Sequence, residues 1–174
     1  MREILPARLK GYAVCTAVLS LAAWAVFWLV WNGLTFFYSD LALVLPWVIA
    51  LVLHIPAGAM LARRRGLPVP NVQEGVLFLA VAGTVYAGAA SFLWDGPFYS
   101  LYFLYEGLLV HHNPVMGALE EVGFLLPFSW YEALFLPGGF FLVHLFCALL
   151  SAGAFLLGMV FWEKWRLTRD KTVV

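Results

Sequence analysis

Four stretches of this chain contain no Asp, Glu, Lys or Arg: residues 11–37, 41–62, 75–94 and 139–162. A helix needs about 20 mostly apolar residues to cross the hydrocarbon core of a bilayer, and each stretch reaches that length. Lipid offers the backbone no hydrogen-bond partners, so such a stretch must satisfy its own N–H and C=O groups as a helix. Charged residues are 11% of the chain and hydrophobic residues 64%, whereas a soluble domain carries about a quarter charged. So few charges cannot cover a surface facing water. The expected fold class is therefore all-α, a polytopic helical bundle. It forms a single integral membrane domain over residues 1–174, in the cell membrane. The net charge is zero and creates no field that would gather nucleic acid. The first expected partner is the lipid bilayer.

The basic residues give the bundle an orientation. The ten Lys and Arg fall in three clusters: Arg2, Arg8 and Lys10; Arg63, Arg64 and Arg65; Lys164, Arg166, Arg169 and Lys171. Four spans with a cytoplasmic N-terminus put all three clusters on one side. The opposite loops, residues 32–40 and 95–138, contain neither Lys nor Arg. That asymmetry is the positive-inside pattern, and it predicts both termini in the cytoplasm. The basic start resembles a signal-peptide n-region, but the apolar run behind it is too long for an h-region, so a retained first helix is expected. Aromatic residues gather where headgroups are expected, with Trp28, Trp31, Phe36, Phe37 and Tyr38 after the first span and Trp162 and Trp165 after the last. Small residues recur four apart: Gly83, Ala87 and Ser91; Ala148 and Ala152; Ala154 and Gly158. They let helix backbones approach closely, either within the bundle or against a membrane-protein partner or second copy. Cys15 and Cys147 lie in apolar runs and read as small packing residues.

Residues 95–138 are too apolar for an ordinary loop. Residues 98–110 suffice for about three and a half helical turns. His111-His112-Asn113-Pro114 breaks that pattern, and residues 115–126 suffice for a second short helix. The expectation is four transmembrane helices with short interfacial or re-entrant helices capping the outer face. A six-span arrangement is the alternative. It would bury Glu106 and Glu120-Glu121 at mid-membrane, which costs several kcal/mol unless they are paired or protonated.

The chemistry-bearing side chains concentrate in the same segment. Glu106, His111, His112, Glu120, Glu121 and Glu132 lie there, and His144 follows about two turns into the last span. Carboxylates and imidazoles suit a divalent metal such as zinc or manganese. Glu106, His111, His112, Glu121 and His144 are therefore the candidate metal ligands, and Glu120, Glu121 and His144 the candidate catalytic groups. On a helix Glu120 and Glu121 point in different directions, so they do not form a chelating pair on one face. Solvation at the headgroup boundary accounts for the outer carboxylates equally well. His54 precedes Pro56, which frees the Val52 carbonyl, so local bonding to the backbone is the expected role of that ring. A haem between His54 and His144 fails on depth, because the two lie roughly 12 Å apart along the membrane normal.

Glu120-Glu121 together with Phe140-x-x-x-His144 resembles part of the motif of the CAAX-protease-like intramembrane glutamic proteases. That family pairs E-E-x-x-x-R with a later F-x-x-x-H. The resemblance covers about 25 residues and implies Glu120 as base and His144 as the group orienting water. Leu125 stands where the arginine belongs, and no histidine or asparagine follows His144, which puts the third polar group of that site in doubt. No glycine-rich phosphate loop, Cys-x-x-Cys or G-x-S-x-G occurs. The expected function is a non-catalytic subunit or accessory partner of a membrane complex. A metal-dependent membrane enzyme of the hydrolase type and a transporter or substrate-binding component are the alternatives.

Overall fold

The computed structural model describes residues 4–33, 40–95 and 137–171. These residues form four α-helices and include no strand: α1 (Ile4–Gly33), α2 (Asp40–Arg65), α3 (Val72–Asp95) and α4 (Pro137–Lys171). Three of the helices hold described stretches long and apolar enough to cross a membrane: Ile4–Ala22, Val72–Ala89 and His144–Arg169. A membrane location and an all-helical bundle follow.

The helix ends obey local chemistry. Arg63, Arg64 and Arg65 close α2, where cations complement the negative end of the helix dipole. Gly66 then takes a left-handed φ of 59°, and Leu67 N donates to Ala62 O at 3.2 Å. That six-to-one bond behind a left-handed glycine is a Schellman stop. Pro68 and Pro70 discourage any resumption of the helix. Asn71 starts α3: its Oδ1 accepts from Glu74 N at 2.8 Å, as an N-cap does. Pro137 opens α4, where its missing N–H costs nothing. The helices overrun the apolar stretches. At 35 residues, α4 is about 52 Å long, well beyond a hydrocarbon core of about 30 Å. Its charged end stays helical, with Arg166 held to Glu163 by two bonds of 3.0 and 2.6 Å.

The start of α1, the end of α2, the start of α3 and the end of α4 meet at one end of the bundle. Arg8 donates to Glu74 Oε2 at 3.0 Å and to Pro68 O at 2.6 Å. The Arg63 guanidinium lies 5.5 Å from the centre of the Trp162 ring. The three basic clusters therefore share one end of the molecule. Arg8, a member of the N-terminal cluster, does not face solvent. It is fully buried and clasps α1 to the α2–α3 turn.

Around the bundle α2 packs against α1 and α4, and α4 packs against α2 and α3, while α1 and α3 touch little. The α2–α4 crossing is made by glycines. A Cβ on Gly58 would collide with the Phe155 carbonyl, and one on Gly158 with the Ile55 carbonyl. Here a glycine is required by close backbone approach. Gly83 likewise faces Leu145 of α4, whose methyl would lie 2.8 Å from an added Cβ. Ala148 and Ala152 are fully buried. These small-residue stripes are thus used in packing within the chain. Cys147 is buried, Cys15 half-buried, and both are free thiols.

Candidate functional site

The helix order leaves α1 and α3 as neighbours joined at the basic end and parted above it. Arg8–Glu74 is the lowest link. Next comes an aromatic knot: Tyr12 meets Phe78 of α3 edge-on at 5.7 Å and Phe155 of α4 at 5.6 Å. Beside it a cleft of about 400 Å³ runs between the two helices. Its α1 wall is Leu9, Tyr12, Ala13, Thr16 and Ala17, and its α3 wall is Val81, Ala82, Val85, Tyr86 and Ala89. Both walls follow helical spacing, with Ala13–Ala17 and Val81–Val85–Ala89 four apart. Small and aliphatic side chains line most of it, with the hydroxyl-bearing Tyr12, Thr16 and Tyr86 among them. Ligand pockets share that make-up of a mostly apolar lining with few polar groups. A second groove of about 380 Å³ lies between α2 and α4 and is lined by aliphatic residues and a glycine alone.

Behind the α1 wall the buried polar groups form directed bonds between helices. Ser151 Oγ donates to Ala148 O at 3.1 Å. The Tyr12 and Ser151 hydroxyls share a 2.6 Å bond, and Ala148 O lies 3.5 Å from the Tyr12 hydroxyl as well. His54 Nδ1 lies 2.8 Å from Ala50 O. A carbonyl accepts only, so Nδ1 carries the proton. Nε2 of the neutral ring then accepts from Thr16 Oγ1 at 3.1 Å. Tyr12 and Thr16 therefore bridge α1 to α4 and α2. An unsatisfied hydroxyl or imidazole in hydrocarbon would cost several kcal/mol, and these pairings avoid it.

His54 makes the local backbone bond expected of it, with Ala50 O as the acceptor. The ring reaches Ala50, because helix side chains lean toward the N-terminus and cover the preceding turn. It also crosses to another helix. The sequence offered no pattern for that contact, since Thr16 and His54 lie 38 positions apart. Tyr12, Thr16, Ser151, Arg8 and Glu74 were likewise unmarked. A mid-span hydroxyl is the one signal that would have found the first three.

His144 is buried, with its ring 6.3 Å from that of Tyr86. Ser151, which bonds Tyr12 beside His54, lies seven residues further along α4, about 10 Å at 1.5 Å per residue. His54 and His144 are thus held at different levels by different partners. The other candidate ligands and catalytic residues, Glu106, His111, His112, Glu120 and Glu121, lie outside the described residues, as does Glu132. Among the described residues no three His, Cys, Asp or Glu side chains cluster closely enough to hold a metal ion. The sequence matches no protein-family model, and no curated protein or solved structure matches it.

Proposed function

We propose that this chain is a four-span membrane protein with both termini in the cytoplasm, acting as a non-catalytic subunit of a membrane assembly. The observation that carries the reading is the use made of the polar core. Tyr12, Ser151, Thr16 and His54 sit at membrane depth and are bonded to one another and to backbone carbonyls. Each bond joins or braces helices. Such interhelical bonds are glue in a bilayer, and this set makes a rigid scaffold. The shared location of the three basic clusters supports the topology, because cytoplasmic loops carry the excess of Lys and Arg. The second helix completes the count: it starts at Asp40 and returns the chain to the basic end at Arg65.

Reporter fusions after Lys171 and ahead of Ile4 test the topology. A cytoplasmic signal is expected from both, and an external signal from either defeats it. The subunit role is tested by the mass of the tagged chain extracted from its native membrane in mild detergent. A discrete complex of constant stoichiometry, heavier than the chain alone, is expected. A lone chain with no stoichiometric partner refutes the role.

A further inference from the structure

We infer that the cleft between α1 and α3 is a binding site for one anionic phospholipid, which lays an acyl chain along the cleft and sets its phosphate beside Lys10. The inference rests on the membrane reading above, but not on which face is cytoplasmic.

The cleft lies between two helices of membrane-spanning character. Its occupant must offer hydrocarbon to Ala13, Ala17, Val81, Val85 and Ala89. The end of the cleft selects the headgroup. Lys10, Ala13 and Ala17 stand at i, i+3 and i+7 of α1, on one helix face. Lys10 thus flanks the α1 wall on the Ala13–Ala17 side, about one turn below Ala13 and next to Leu9, the lining residue nearest the basic end. It is exposed and has no acidic partner among the described residues. The nearest other charges on α1 and α3 are already paired with each other. Arg8 is fully buried and paired with Glu74, so it neutralises that carboxylate and leaves the Lys10 cation in excess. A lysine at the end of a span extends its ammonium toward the headgroups. Basic pockets between transmembrane helices are where acidic lipid headgroups bind. A neutral helix from a partner would fill the apolar part and leave Lys10 without a counter-charge. A phospholipid with a net negative head satisfies both parts at once.

The test is native mass spectrometry of the detergent-purified full chain titrated with phosphatidylglycerol or phosphatidylcholine of matched acyl chains. One retained phosphatidylglycerol per chain is expected, in preference to phosphatidylcholine. Lys10→Gln is expected to lower that preference by about fivefold, the effect of one cation near an acidic membrane surface. Ala17→Phe fills the cleft and is expected to abolish retention of either lipid. Ala13→Leu is the milder filling variant should Ala17→Phe not fold, as judged by helicity and thermal unfolding. Equal retention of both lipids by the unaltered chain overturns the inference. So does retention that the filling variants leave unchanged. A dimer that loses lipid as it forms also overturns it, and assigns the cleft to a second copy. The titration uses no orientation, so reversed termini in the fusion experiment would leave its outcome intact.

Discussion

The α2–α4 and α1–α3 seams join helices of similar composition by opposite means. At the first, Gly58 and Gly158 bring backbone against backbone, with no room for a methyl group. At the second, the helices are pinned by Arg8–Glu74 and by Tyr12 with Phe78; each seam leaves a groove of similar size, about 400 Å³ here and about 380 Å³ at α2–α4, so the two differ in how they are joined. Lipid removes the hydrophobic drive that would close such a gap in water, so packing and polar bonds decide where membrane helices touch. Apolar helices therefore seal only where small residues or hydroxyl pairs are placed to seal them. A lipid-filled gap elsewhere costs little.

Substitutions can break this contrast. Gly158→Leu should have the largest effect. Its side chain has to displace the α2 backbone at Ile55, and a loss of more than about 3 kcal/mol is expected, at the upper end for overpacking. Unfolding in mixed micelles with increasing denaturing detergent measures it. If Gly158→Leu is tolerated, the α2–α4 seam is not sealed by backbone contact.

Glu74→Ala comes next. It removes the counter-charge of Arg8, which is fully buried with Nε already unpartnered, and leaves Pro68 O as its acceptor. The loss comes from the buried cation left without its carboxylate, and the exposure of Glu74 to solvent moderates it. Arg8→Ala should cost less, because the carboxylate left behind reaches water. A double-mutant cycle would show the pairing as a departure from additivity, and additive losses would remove the clasp from the account.

Tyr12→Phe keeps the aromatic contacts and deletes the hydroxyl bonded to Ser151. About 0.6–1 kcal/mol is expected, the usual worth of an interhelical hydrogen bond in a membrane protein. The smallest effect belongs to the open seam. Ala17→Phe should change stability by less than about 0.5 kcal/mol, because its ring enters existing space. A large loss there would mean that α1 and α3 close on each other.

How much of this was legible in the sequence varies by feature. The helices were readable, three of them with described stretches apolar enough to cross a membrane, because an uncharged stretch of about 20 residues has few ways to satisfy its backbone. The shared end of the basic clusters was readable because helices alternate direction and charges do not cross lipid. Of the candidate site residues, His144 is described and packs near Tyr86. The burial of Arg8 was not legible, since nothing local distinguishes it from Lys10, two positions on. Burial of one and exposure of the other depends on where Glu74 and the Pro68 carbonyl arrive. Composition and charge placement by themselves determined a helical membrane chain and the grouping of its ends. Only the tertiary structure decided which helices touch, that Thr16 meets His54 and Tyr12 meets Ser151, and that α1 and α3 stay apart. The reason is physical: hydrophobicity sets how a chain enters lipid, but lipid is indifferent to which apolar faces meet. That choice falls to a few glycines, hydroxyls and one buried ion pair, brought together from distant positions in the chain.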